Sequence, residues 1–241
     1  MEKNIIELKN VSKYYEMGED LVKALDEINI KIEKGDFVAI MGPSGSGKST
    51  GMNLTGSLDR ATKGDIYLDG ENIENLEESE LAQVRGKKIG FIFQQFNLIP
   101  NLTAKENVML PMLFQNIDKE ERSGRAEELL EMVELKDRMD HYPNQRSGGK
   151  QQRVAIARSL ANNPEVILAD EPTGNLDSKT EIKIMEFLTN LNKRGKTVVI
   201  VTHSPEIAEE YANTIYWIKD GKIEKITKRS GKKWKTVSKM S

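Results

Sequence analysis

Apolar positions along the chain follow two rhythms. Unbroken runs at residues 38–41 (VAIM), 166–169 (VILA) and 198–201 (VVIV) predict strands buried on both faces, because a strand half in water would alternate. Residues 89–93 (IGFIF) predict another, ending at Gln94-Gln95. Ile28, Ile30 and Ile32 do alternate with polar neighbours and follow Ala24-Leu25, the pattern of a half-buried strand. Ile66-Tyr67-Leu68 lies between Lys63-Gly64-Asp65 and Asp69-Gly70, which predicts part of an antiparallel hairpin. A final strand pair, 215–218 and 223–226, is joined by Asp220-Gly221. Near the start, Ile5, Ile6 and Leu8 precede residues 13–18 (KYYEMG), which read as a loop.

The second rhythm is helical. Residues 77–86 fit a helix, and residues 103–160 are mostly helical in pattern. Ala126, Leu129, Leu130 and Val133 fall at i, i+3, i+4 and i+7. Pro143 and Ser147-Gly148-Gly149 interrupt this stretch, and residues 151–160 resume it. A further helix carries Ile182, Ile184, Met185 and Leu188. Strands alternating with helices predict an α/β fold, with no internal repeat.

Composition narrows the class. At 241 residues, 37% hydrophobic and 31% charged, the chain suits a globular core with room for a subdomain. Its net charge of −2 argues against a dedicated nucleic-acid binder. Without cysteine there is no disulfide framework, thiolate metal site or thiol nucleophile. The opening MEKNIIELKN has no apolar signal core, and no apolar run approaches membrane-spanning length. Work at a membrane would therefore require another anchor. From Lys225 on the chain turns basic, with Lys228, Arg229, Lys232, Lys233, Lys235 and an embedded Trp234. That end reads either as a solvated, frayed terminus or as a patch for anionic lipid or an acidic partner.

The chemistry centres on residues 42–49, GPSGSGKS, directly after the first buried strand. Gly42, Pro43, Ser44, Gly45, Ser46, Gly47, Lys48 and Ser49 match the phosphate-binding P-loop, and Thr50 follows. Its glycines let successive N–H groups turn toward one anion, and the helix starting near Gly47 adds its positive end. Lys48 is a point charge for β- and γ-phosphates, while Ser49 offers a hydroxyl to Mg²⁺. A second apolar strand ends at Asp170-Glu171. Asp170 is placed to reach the Mg²⁺ shell, and Glu171 to act as general base toward water. His203 follows the 198–201 strand and can hydrogen-bond a γ-phosphate, or be merely structural. Gln94 either joins the Mg²⁺ shell or is a polar loop residue. Tyr15 is a candidate to stack on a purine, with Tyr14 as its competitor.

Together these segments resemble the ATP-binding subunits of ABC transporters. The resemblance rests on GPSGSGKS, Gln94, residues 147–153 (SGGKQQR), and 167–177 (ILADEPTGNLD) with His203. Residues 93–111 and 170–178 resemble the branch holding the lipoprotein-releasing, macrolide-export and cell-division ATPases. It implies a P-loop NTPase core of mostly parallel sheet, an antiparallel β subdomain and a helical subdomain inserted at about 96–158. The ATP-binding domain would span 1–228 and a basic tail 229–241.

The resemblance also implies a homodimer that closes head to tail on two ATP molecules with Mg²⁺. Each ATP would lie between one P-loop and Ser147-Gly148-Gly149 of the other copy, with Tyr15 on adenine. Asp177 would cross the interface, and Gln94 would sense nucleotide. The partner would be an integral membrane permease reached from the cytoplasmic face of the cell membrane, with export or extraction as the direction and no nucleic acid involved. An alternative is an ATP-gated clamp that signals to a membrane protein without moving a substrate. A soluble ABC ATPase acting on DNA or ribosomes is a third possibility, opposed by the absence of a coiled-coil insert and of a second ATPase half.

Four positions depart from the family pattern: Arg146 in place of Leu, Lys150 in place of Gln or Glu, Gly51 in place of an apolar residue, and Ser204 in place of Asp. Arg146 must find water or an acid. Lys150 adds charge near the other copy's γ-phosphate. Little is expected from Ser204.

Overall fold

The computed structural model describes residues 4–18, 20–145, 147–231 and 233–239. The first elements are β1 (Asn4–Met17), β2 (Asp20–Glu33), β3 (Phe37–Met41), α1 (Lys48–Thr55), β4 (Lys63–Leu68) and β5 (Glu71–Asn72). Next come α2 (Glu78–Lys88), β6 (Ile89–Ile92), α3 (Ala104–Leu113), α4 (Lys119–Met132), α5 (Gly148–Ser159) and β7 (Val166–Asp170). The last are α6 (Ser178–Lys193), β8 (Thr197–Thr202), α7 (Pro205–Tyr211), β9 (Thr214–Lys219), β10 (Lys222–Ser230) and β11 (Lys233–Lys239). They form two compact units, Met1–Leu81 with Thr189–Ser241, and Ala82–Leu188. The fold is α/β, a P-loop core with an antiparallel β portion and a helical portion.

In the first unit β3 lies between β8 and β9, parallel to both. Every residue of β3 and β8 is buried, as their unbroken apolar runs require. β10 and β11 continue antiparallel from β9. A second, antiparallel sheet has the order β2-β1-β4-β5. The alternation at Ile28, Ile30 and Ile32 buries all three on its inner face. Tyr216 of β9 ties the two sheets: its hydroxyl donates to the Lys31 carbonyl at 2.6 Å and accepts from the Lys31 N–H at 3.0 Å.

Two expectations fail here. Residues 13–17 are not loop but the end of β1, paired with β2 through Tyr14↔Lys23 and Tyr15↔Val22. The cross-strand partners are long and partly exposed, so no apolar period betrays them, and Gly18 (φ 67°) makes the turn. Of the two readings of the basic end, the frayed one does not hold for its described residues: β11 pairs with β10 from Ser230↔Lys233 to Lys225↔Lys239.

Gly51 sits within α1, where glycine costs about 1 kcal/mol relative to alanine. A methyl group there would lie 3.7 Å from Ile218 Cδ1 and 3.9 Å from Leu25 Cδ1, ordinary contact distances. Gly51→Ala is expected to raise unfolding free energy by about 0.5–1 kcal/mol, read as a higher urea midpoint at unchanged m. A lower midpoint would mean that the packing at Ile218 is tighter than these distances imply.

In the second unit β6 and β7 are parallel, with Ile92 opposite Ala169. α3 opens with a capping box: the Thr103 hydroxyl accepts from the Glu106 N–H, and the Glu106 carboxylate accepts from the Thr103 N–H. Asn107, fully buried, holds the preceding loop, accepting from the Ile99 N–H and donating to the Ile99, Leu102 and Thr103 carbonyls. Ala126, Leu129 and Leu130 of α4 are buried as their spacing requires. Among the described residues no helix is long and apolar enough to cross a membrane.

Candidate functional site

The phosphate loop starts where β3 ends. Gly47, at φ 98°, precedes α1, and a methyl on it would lie 2.4 Å from the Ala24 carbonyl oxygen. A methyl on Gly42 would lie 2.0 Å from the Ile218 carbonyl oxygen, so both positions require glycine. The Lys48 side chain is largely buried and its ammonium donates to the Pro43 carbonyl at 2.7 Å, folding back across the loop. α1 has no side-chain cap and no acid in its first turn, so its amides are left to an external anion.

The Ser46 hydroxyl is buried with no hydrogen-bond partner, an orphan that a bound phosphate oxygen would satisfy. Pro43, Ser44, Gly45 and Ser49 are exposed and Thr50 is half-buried. The donor set fits a polyphosphate.

Tyr15 stands on the α1 side of the first hairpin. Its hydroxyl donates to Asp59 at 2.9 Å, and its ring remains 37% exposed beside exposed Leu21 and Val22. Burial raises the Tyr15 phenol, and the bond to Asp59 adds to the rise. Burial also works to raise the Asp59 carboxyl, but the Lys13 ammonium (2.6 Å) and the Tyr15 hydroxyl outweigh it and hold it below the ordinary range. Tyr14 is occupied differently: its hydroxyl donates to Asp26 at 2.8 Å, and its ring carries the Lys23 and Lys63 ammonium groups. The Lys13 ammonium lies 5.0 Å from the Tyr15 ring centre, so both rings carry cations, and Tyr15 is distinguished by being the more exposed of the two. His203 is exposed just past β8, and the Met41↔Thr202 register puts it at the strand end beside Gly42. Ser204, from which little was expected, caps α7 by accepting from the Ile207 N–H.

The second unit gathers the remaining candidates. Ile92↔Ala169 register places Gln94 and Glu171 two residues past neighbouring strand ends, with Asp170 closing β7. Glu171 adopts φ 43°, a left-handed conformation uncommon for a side-chain-bearing residue. A methyl on Gly174 would lie 3.1 Å from Gln94 Nε2 and 3.4 Å from Glu171 Oε2, so the two side chains converge there. Asn175 donates to the Gln94 carbonyl at 3.1 Å.

α5 braces both sides. Gln152, fully buried, donates to the Pro172 carbonyl at 2.5 Å, while Arg158 donates to the Phe96 carbonyl at 2.8 Å and the Asn97 carbonyl at 2.5 Å. Gly174, Asn175 and Arg158 had no role assigned from sequence. Their neighbourhood to Glu171 and Gln94 is the signal, and it is visible only once β6 and β7 are paired.

Ser147 begins α5 without capping it, and no acid lies in its first turn. Gly148 and Gly149 follow, the latter against Thr180. Arg146 lies outside the described residues. Lys150 is exposed and lines a cavity of about 310 Å³ with Arg153, Lys179, Lys183 and Glu134. Arg153 pairs with Glu134 at 2.6 Å, so the lysines leave the cavity cationic. Asp177 is occupied as a cap on α6, accepting from the Thr180 N–H (3.1 Å) and hydroxyl (2.7 Å), which together hold its carboxyl below the usual range. Among the described residues no group of three or more His, Cys, Asp or Glu forms a metal cluster.

The comparisons agree with this chemistry. The ABC transporter family model matches residues 25–174. An uncharacterized ABC transporter ATP-binding protein of Methanocaldococcus jannaschii, MJ0796, is 55% identical over 94% of this chain and 98% of its own length. A macrolide export ATP-binding/permease protein, MacB, of Aggregatibacter actinomycetemcomitans is 50% identical over 91% of this chain, which spans 34% of that protein. The dimeric structure of MJ0796 in a post-hydrolysis state, bound to ADP and Pi, superposes with a TM-score of 0.88 at 53% identity, covering 94% of this chain and 99% of that one. With the phosphate loop, the Asp170-Glu171 strand end and the SGGKQQR helix all in place, the chain belongs to the ABC transporter family as an ATP-binding domain, and is an ATPase.

Proposed function

We propose that two copies of this chain close head to tail around two Mg-ATP and thereby drive an integral membrane permease from the cytoplasmic face of the cell membrane. Export, or extraction from the membrane, is the direction that suits the macrolide-export relative. The observation that carries the dimer is the start of α5. Ser147 makes no capping bond and no acid occupies the first turn, so this is a second phosphate-seeking helix end. The two-copy state of MJ0796 supports the same reading.

Each residue then has a task. Lys48 exchanges the Pro43 carbonyl for β- and γ-phosphate oxygens, and the amides of residues 44–50 cradle the same groups. Tyr15 stacks on adenine. Ser49, Asp170 and Gln94 hold Mg²⁺, which when bound neutralises phosphate charge. Glu171 accepts the proton of the attacking water, and His203 hydrogen-bonds the γ-phosphate. Ser147, Gly148 and Gly149 of the second copy close over that phosphate, with Lys150 adding charge. Asp177 couples the two sites through its turn.

The test is the mass in solution of the Glu171→Gln protein with and without Mg-ATP. A shift from monomer to dimer is expected. A monomer that has bound ATP would refute self-assembly by this face.

A further inference from the structure

The basic end folds into an edge ribbon whose charge the fold does not balance. Residues 225–239 contain seven cations and no acid, in a chain of net charge −2. Cross-strand partners share a face, and like charges placed directly opposite repel. Here Lys228 faces Lys235 and Lys225 faces Lys239. Some of this charge is occupied: Lys225 lies 4.3 Å from the Trp217 ring centre, Arg229 donates to the Glu209 and Glu210 carbonyls, and Lys228 is 4.0 Å from Glu33. The side chains of Lys233, Lys235 and Lys239 are exposed and make no hydrogen bond or ion pair with the described residues. Val237 is 56% exposed between them, and the half-buried Trp234 stacks under the Arg229 guanidinium at 5.1 Å.

Lysines on an edge strand deter strand addition, but one suffices for that. Opposed pairs with no intervening acid fit better as half of an interface whose other half is anionic. Adjacent residues of β11 alternate faces, so Trp234 lies with Arg229 on one face and Lys233 and Lys235 lie with Lys228 on the other; the free edge of β11 presents both the aromatic ring and the ammonium groups to a headgroup region, where such groups sit together.

We propose that the β10–β11 ribbon is a docking surface for an anionic phospholipid bilayer, independent of any permease. Sedimentation of the full chain with vesicles tests it. Binding is expected to phosphatidylcholine–phosphatidylserine vesicles and not to phosphatidylcholine alone, and to fall with salt. The triple variant Lys233→Gln, Lys235→Gln, Lys239→Gln should lose on the order of a hundredfold in binding, with vesicle-free ATPase activity unchanged. The triple Lys→Arg variant, which keeps the charge, should bind as the natural chain does.

Equal binding to both vesicle types, or full binding by a folded Gln variant, would overturn the proposal. So would tighter retention on a single-stranded oligonucleotide than on the anionic vesicles at the same salt.

Discussion

Lys48→Ala is expected to weaken ATP binding by about 30- to 4000-fold, the equivalent of about 2–5 kcal/mol for removing one partner of a buried charge pair. Its side chain is largely buried, and its ammonium already leaves bulk water to bond the Pro43 carbonyl. Moving from that neutral acceptor to phosphate oxygens exchanges one hydrogen bond for stronger, charge-assisted ones. Alanine removes this gain but leaves the loop's backbone, since Gly42 and Gly47 set its course against the Ile218 and Ala24 carbonyls. The fold should therefore survive, with only the Pro43 carbonyl left to find water. Titration of a fluorescent ATP analogue, beside a thermal melt, checks both halves. Affinity within threefold of the natural protein would remove Lys48 from the phosphate site.

Much of this arrangement was legible because the residues concerned obey strong local rules. β3 is apolar throughout and β7 and β8 carry unbroken apolar runs at 166–169 and 198–201, so their burial could be read directly. The phosphate loop needs a strand, a glycine-rich turn and a helix in series, all within residues 38–55. What stayed hidden depends on partners distant in sequence. Residues 13–17 pair with 20–25 through mixed, half-exposed side chains, and β11 consists mainly of lysine, threonine and serine, with nothing apolar to mark it except Trp234 and Val237. The hold of Asn175 on Gln94 joins residues 81 apart, and that of Arg158 on Phe96 joins residues 62 apart. Lys48's choice of Pro43, and Asp177's of Thr180, are local but depend on turn geometry that residue types alone do not specify.

The Glu171→Gln protein should bind ATP within a few-fold of the natural chain yet hydrolyse it about 10²–10⁴-fold more slowly, the usual contribution of a positioned general base. The amide has the shape of the carboxylate but no basic lone pair for the water's proton. The backbone around it should not respond: Gly174 N–H bonds the Glu171 carbonyl at 3.0 Å, and Gln152 holds the next carbonyl, that of Pro172. These bonds keep the φ 43° conformation whatever the side chain. Gln94, whose amide shares the space around Gly174 with the carboxylate, gives an internal control. Gln94→Ala should reduce turnover less than Glu171→Gln, because a group that orients a ligand leaves the proton acceptor in place. Single-turnover hydrolysis of both variants separates the two roles. If Glu171→Gln retained more than a tenth of the natural rate, another group would have to take the proton, and His203, exposed at the end of β8, would be the next to replace.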